Sequence, residues 1–191
     1  MALVTTLRAQ DYPSMPWKNG GGSTQEVARD GGDGLGGFGW RLSIASIGAD
    51  GGFSAFDGYQ RVITVLDGDG MVLNIDGSDS RPLLAFDPLA FPGASAVHCR
   101  LLGGAIRDFN LIYAPQRYQA RLQWLAAEAP QRLFSSAATL VVFSAGQVQV
   151  SLGSAPPHAL GPHDCLRVSN QGLAELSISG RACLIEFSPR G

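Results

Sequence analysis

Charge is scarce in this 191-residue chain. Asp, Glu, Lys and Arg make up 16% of it, against about 25% in an ordinary soluble domain. The formal net charge is -2 and no basic block occurs, so the electrostatic footprint of a nucleic-acid-binding protein is missing. Cysteine is scarce too. Cys99, Cys165 and Cys183 form no C-x-x-C pair and read as reduced, structural thiols of an intracellular protein. No apolar run approaches the ~20 residues of a membrane span. The opening "MALVTTLRAQDYP" lacks the apolar stretch of a secretory signal. The expectation is a cytoplasmic protein with neither nucleic acid nor membrane as partner.

Long amphipathic helical patterns are absent as well; only "AAEAP" is read as a brief helical turn. What is there is alternation between turn signals. The chain is 45% hydrophobic with 25 glycines and 11 prolines, a balance that favours β structure. "STQEVA", "FGWRLSIAS", "YQRVITVL", "MVLNID", "AVHCRLL", "DFNLIY" and "QARLQWL" read as short strands. "ADGG", "FDG", "DGDG", "DGSDS", "FPG" and "LGG" separate them.

A weak internal repeat sets the domain organisation. "RVITVLDGDGMVLNIDG" (Arg61 to Gly77) echoes "TLVVFSAGQVQVSLG" (Thr139 to Gly153), with Gly70 matching Gly146. "RDFNLIYAP" (Arg107 to Pro115) likewise aligns with "RACLIEFSP" (Arg181 to Pro189). Duplicated β-units of this kind predict an all-β chain of two small antiparallel, jelly-roll-like barrels. One covers residues 1–115 and the other 116–191, tightly packed together because no linker marks the change-over. In the second, Gln147, Gln149 and Ser151 alternate with Val148, Val150 and Leu152, which predicts one wet face.

Several familiar chemistries are missing. "GDGLGG" (Gly32 to Gly37) fits G-x-G-x-x-G, but a strand follows it where a dinucleotide site needs a helix. "KNGGGST" has its lysine before the glycines, unlike a phosphate loop. G-x-S-x-G is absent. His98, His158 and His163 form no H-x-H pair. His158 and His163 fall in the loop "PPHALGPHDC" and are expected at the surface, and His98 is expected in the core or at its rim. No metal and no cofactor is therefore predicted.

The polar residues on apolar strands carry more. Trp40, Leu42 and Ile44 share one face of their strand, so Arg41 and Ser43 share the other. Asp108 and Asn110 lie opposite Phe109 and Leu111, and Arg61 opens "RVITVL". A closed barrel turns one face of each strand inward. That gives an interior set of Arg41, Ser43, Arg61, Asp108 and Asn110. A buried guanidinium needs a partner. Either the set is an internal Arg–Asp pair that fixes the barrel, or it is a pocket whose guanidinium forks await a carboxylate. "MPWKNGGGST" (Met15 to Thr24) adds Trp17 as a lid and Asn19 as a hydrogen-bonding group, with Glu26 just beyond. Phe53, Phe56 or Phe109 would supply an apolar wall.

"PWKNGGGSTQEVA", "FGWRLSIASI", "GGFSAFDGYQRVITVLDGDG" and "LLGGAIRDFNL", in that order from Pro16 to about Tyr113, resemble the HutD/Ves family. Where members of that family tend to continue "DFNLM" and a basic residue, this chain has Ile112 and Tyr113. The resemblance implies a bicupin, a link to histidine utilisation or, in the Ves branch, to stress response, and no firmly assigned catalytic activity. It places a pocket in the N-terminal cupin and marks Trp17, Asn19, Arg41, Arg61, Asp108 and Asn110. The reading that follows is a non-catalytic bicupin that binds a small anionic metabolite, urocanate- or formylglutamate-like. An alternative is a metal-independent isomerase, hydrolase or lyase using Asp108 or Glu26 as acid and base. A third is an interaction module whose second barrel docks a regulator or a second copy of the chain, with the "GQVQVSLG" hairpin as an edge for pairing.

Overall fold

The computed structural model describes residues 3–34 and 36–191. Its strands are β1 (Leu3–Leu7), β2 (Ser14–Pro16), β3 (Gly22–Arg29), β4 (Trp40–Ile47), β5 (Gly51–Gly52), β6 (Gln60–Asp67), β7 (Met71–Ile75), β8 (Ser78–Asp79) and β9 (Leu89–Pro92). They continue with β10 (Val97–Leu101), β11 (Ile106–Tyr113), β12 (Tyr118–Ser135), β13 (Thr139–Ser144), β14 (Val148–Leu152), β15 (His158–Leu160), β16 (Cys165–Ser169) and β17 (Ala174–Pro189). One short 3-10 turn, Ala9–Asp11, is the sole helical element among the described residues. Among the described residues no helix is long and apolar enough to cross a membrane.

The chain divides into two compact units, one of Tyr12–Pro115 and one of Gln116–Gly191 joined by residues 3–11. In the first, a six-stranded sheet runs β2-β3-β4-β11-β6-β9 and a four-stranded sheet runs β5-β10-β7-β8. Ala45, Ile63, Val65, Met71, Leu73, Val97 and Cys99 come from both sheets and meet in one core. Each such burial stabilises by about 1.5–3 kcal/mol for a full-sized aliphatic side chain. The register of the large sheet positions the polar residues. Asp108 lies opposite Ala45, Asn110 opposite Ser43, and Ile112 opposite Arg41; on the other side Ile112 lies opposite Arg61. Side chains alternate with period two along a strand, so Arg41, Ser43, Arg61, Asp108 and Asn110 all fall on one face.

The second unit repeats the scheme with longer strands. Its sheet runs β1-β16-β13-β17-β14-β15, with β12 also pairing β17. β17 pairs β13 through Ala182–Phe187 and β14 through Leu176–Ser179. The change of partner falls at Gly180, whose φ of +96° and close backbone neighbour, Gln147 O at 2.3 Å from an added Cβ, admit only glycine. In the first unit the matching chain is interrupted instead, between β10 and β11.

Four expectations are corrected. "AAEAP" holds no helical turn: β12 runs through it, with a bulge between Ala127 and Gln131 absorbing the irregularity. "PPHALGPHDC" is not simply loop, because His158 opens β15 and His163 stacks on Phe143 at 5.7 Å; both are half-buried. His98 sits on β10 as expected of a strand residue but is exposed. The "GQVQVSLG" hairpin offers no free edge over Val148–Val150, since β15 covers one side while β17 pairs with Gln149–Leu152 on the other. Its wet face is as read, with Val148 and Val150 buried and Gln149 exposed. Of "GDGLGG", Leu35 lies outside the described residues; the flanking glycines join β3 to β4 without a helix.

Candidate functional site

A cavity of about 550 Å³ opens in the unit Tyr12–Pro115, within the range of small-molecule pockets. Trp17, Asn19, Arg41, Ser43, Arg61, Asp108 and Asn110 all line it. Its chemistry is divided. Arg41, Arg61 and Asp108 are buried on the strand face described above, while Phe53, Phe56, Ile47 and Ile112 form apolar wall. Phe109 does not join them. It is fully buried on the opposite face of β11, as the alternation of that strand requires.

Arg61 is held from several sides. Its Nη1 donates to Ser54 O at 3.2 Å and its Nη2 to Asn110 Oδ1 at 2.9 Å. Its guanidinium lies over Phe53, Phe56 and Phe91 at 5.6, 5.5 and 5.1 Å from the ring centroids, the arrangement in which an aromatic face attracts a cation. Asn110 Nδ2 in turn donates to Asp108 Oδ1. Arg41 Nε donates to Glu26 Oε2 at 2.7 Å, so Glu26 is a partner of the site and no solvated strand charge.

Donors and an acceptor remain. Arg41 Nη2, Arg61 Nε and Asp108 Oδ2 are buried and have no hydrogen-bond partner among the described residues. A buried polar atom left unpaired costs about 1–3 kcal/mol, more when charged. All three belong to residues lining the one cavity. Burial pulls the Arg61 guanidinium down to about 10, with Asp108 nearby pushing it up and Arg41 pulling it down. Burial pushes the Asp108 carboxyl up to about 7, against the charge of Arg61 and the hydrogen bond from Asn110.

The loop "MPWKNGGGST" forms the rim. β2 and β3 pair as a hairpin, closed by Trp17 N–H donating to Gly22 O at 2.9 Å. Trp17 Nε1 donates to Thr24 Oγ1 at 2.8 Å and its ring stands edge-on to Phe53 at 6.4 Å. Asn19 Oδ1 accepts the Gly21 N–H at 3.0 Å, so this side chain shapes the loop as well as lining the cavity. Gly20 has φ +73°, and a Cβ on Gly22 would lie 2.3 Å from Ser46 O and 3.2 Å from the Trp17 ring. The glycine run is thus required at one position for backbone conformation and at another for space.

Lys18 and Thr24 also line the cavity and were not singled out by pattern. Lys18 was legible by another signal: it is the sole lysine of the chain. The thiols stand away from this chemistry. Cys99, Cys165 and Cys183 are buried and free, and burial pushes Cys99 and Cys165 up to about 12 and Cys183 well above the usual thiol range. Among the described residues no three His, Cys, Asp or Glu side chains converge as a metal site would need.

Two antiparallel β units in one chain, one of them enclosing a polar cavity, define a bicupin. At 13% identity its fold matches a bacterial pirin, YhhW of Escherichia coli, with a TM-score of 0.69 over 99% of this chain and all of that one. The family model HutD matches residues 9–185, and the chain belongs to the HutD family. It is 60% identical, over the full length of both chains, to a 21.2 kDa protein of the hutC 3′ region in Pseudomonas putida. It is 57% identical to HutD from Pseudomonas fluorescens SBW25, whose structure superposes with a TM-score of 0.90 over 99% of this chain and all of that one. Protein Ves of Escherichia fergusonii is 38% identical over 112 residues, 53% of this chain and 55% of that protein.

Proposed function

We propose that the protein binds a small carboxylate metabolite, urocanate- or formylglutamate-like, in the cavity of the unit Tyr12–Pro115, and through that binding modulates histidine utilisation. One observation carries the reading: Arg41 Nη2 and Arg61 Nε are buried cationic donors without partners among the described residues, on one cavity. Guanidinium N–H groups in a desolvated site are matched to a carboxylate. The Phe53 and Phe56 walls suit a flat or aliphatic body behind that carboxylate, and Trp17 stands at the rim. The relative from the hutC 3′ region supports the metabolic setting.

Isothermal titration of the purified protein with urocanate and with N-formylglutamate tests this. The wild type should bind at least one of them at millimolar concentration or better, and Arg61→Ala should lose the binding. Silence of the wild type toward both at millimolar concentration overturns the proposal.

One observation favours a second reading. A carboxyl raised to about 7 inside a cavity has the pKa of a general acid or base at neutral pH. Asp108 would then serve a metal-independent isomerase, hydrolase or lyase, whereas Glu26 is already engaged by Arg41 at 2.7 Å. Turnover of either compound by the purified protein, abolished in Asp108→Asn, would select this reading over the first.

A further inference from the structure

A carboxylate ligand entering this cavity meets two cations and one acid. The acid is the problem to be solved. Asp108 is completely buried and lines the same cavity as Arg41 and Arg61. Its Oδ1 is occupied by Asn110 Nδ2, whereas its Oδ2 has no partner among the described residues. An ionised Asp108 would thus bring a second negative charge into the space a carboxylate would fill. Like charges sharing a low-dielectric site are not both kept ionised, and one of them takes a proton.

We infer that a carboxylate ligand binds this cavity together with one proton, which comes from solvent and resides on Asp108. The protonated Oδ2 then adds an O–H donor to the guanidinium N–H groups of Arg41 and Arg61. This rests on the carboxylate-binding reading above.

The groups around Asp108 agree with this. From β6, Arg61 reaches it through Asn110 of β11 itself. From β4 comes Arg41, whose charge is already shared with Glu26 of β3. From β10 comes Cys99, a thiol pushed up to about 12, partly by Asp108, and so neutral throughout the working range. Lys18 stands on the cavity rim. Burial has raised the Asp108 carboxyl to about 7, whereas Arg61 is held at about 10. A bound anion raises the carboxyl further.

The sign follows. Below the pKa of the free protein Asp108 already carries its proton, and affinity is flat. Above it, binding must draw a proton from solvent, and the dissociation constant rises toward about tenfold per pH unit.

The test is titration calorimetry of the full chain with N-formylglutamate from about pH 6 to about pH 9, a range in which no group of that probe titrates. The wild type should bind with a dissociation constant that is flat near pH 6 and climbs above about pH 7. At about pH 8 the observed enthalpy should vary with the ionisation enthalpy of the buffer, with a slope near one proton taken up. Asp108→Asn, which holds a neutral amide there at every pH, should lose both the pH slope and the buffer dependence. Binding that is independent of pH and of buffer overturns this inference and leaves the carboxylate reading standing. A slope that persists in Asp108→Asn also overturns it. If neither N-formylglutamate nor urocanate binds at any pH, the carboxylate reading itself fails. The buffer dependence of the wild type decides the matter even if the variant does not fold.

Discussion

Arg61 meets Asp108 through the side-chain amide of Asn110, which accepts from Arg61 Nη2 at 2.9 Å and donates to Asp108 Oδ1. The amide thereby satisfies a cation on β6 and an acid on its own strand at once. Arg61 and Asp108 are both buried. Asn110→Leu should leave two buried polar atoms unpaired and destabilise by about 2–4 kcal/mol. Urea unfolding measures this as a lowered midpoint with an unchanged slope. A variant as stable as the wild type would show that the amide bridge contributes little.

Two glycines of the rim loop make a paired prediction. Gly20 has φ +73° with nothing within 4 Å of an added Cβ, while Gly22 would place its Cβ 2.3 Å from Ser46 O. Gly20→Ala pays only for its backbone conformation, about 1 kcal/mol. Gly22→Ala must push β3 away from β4, at a cost of about 3 kcal/mol or more, and should also disturb the Trp17 ring 3.2 Å away. Thermal melting should therefore rank Gly22→Ala well below Gly20→Ala. Equal losses would mean that the loop relaxes freely.

Trp17 joins the rim to the wall. Its Nε1 donates to Thr24 Oγ1 at 2.8 Å while its ring meets Phe53 edge-on. Trp17→Phe keeps most of the ring and loses the hydrogen bond, an expected cost of about 1 kcal/mol. Trp17→Ala removes the ring as well and opens the cavity. Its ligand affinity should fall by more than that of Trp17→Phe, as read by titration with N-formylglutamate or urocanate. Equal affinities in the two variants would mean that the ring does not cover the ligand.

The strands that position the site were readable because their alternation is strong. In "FGWRLSIAS" the apolar residues fall on every second position, so the facing of Arg41 and Ser43 followed from period alone, and β4 carries them as read. "DFNLIY" did the same for Asp108 and Asn110. The reading slipped where alternation weakens. Ala126 to Pro130 has small residues on both faces, and neither period nor propensity there distinguishes a bulged strand from a turn of helix. The residue pairings were not readable at all: Glu26 with Arg41 and Asn110 between Arg61 and Asp108 depend on register across strands 15 and 49 residues apart in sequence. β1 was missed for a related reason. It is five residues long with Leu3 exposed, and what defines it is its pairing with β16.

Asp108 also makes stability depend on pH, in a direction opposite to most acids. Its carboxyl is raised by burial to about 7 in the folded chain, against 3.8 for the ordinary group. Between these values the folded state holds a proton that the unfolded state has released. Stability contributed by the protonated acid is therefore complete below about pH 4 and is lost progressively as pH rises to about 7, a change on the order of a few kcal/mol. Asp164 runs the other way. Burial tends to raise it, but the Ala9 and Gly161 N–H groups and Arg8 together hold it below the ordinary range, so its contribution is lost as pH falls. The sum over all acids hides either effect, whereas a variant isolates one. Asp108→Asn replaces the titrating group by a neutral one of the same shape. Its melting temperature relative to the wild type should rise steadily from about pH 4 to about pH 7 and then level off. If the difference instead shrinks across that interval, Asp108 is ionised and stabilising in the folded chain, and the proton on its carboxyl at neutral pH is ruled out.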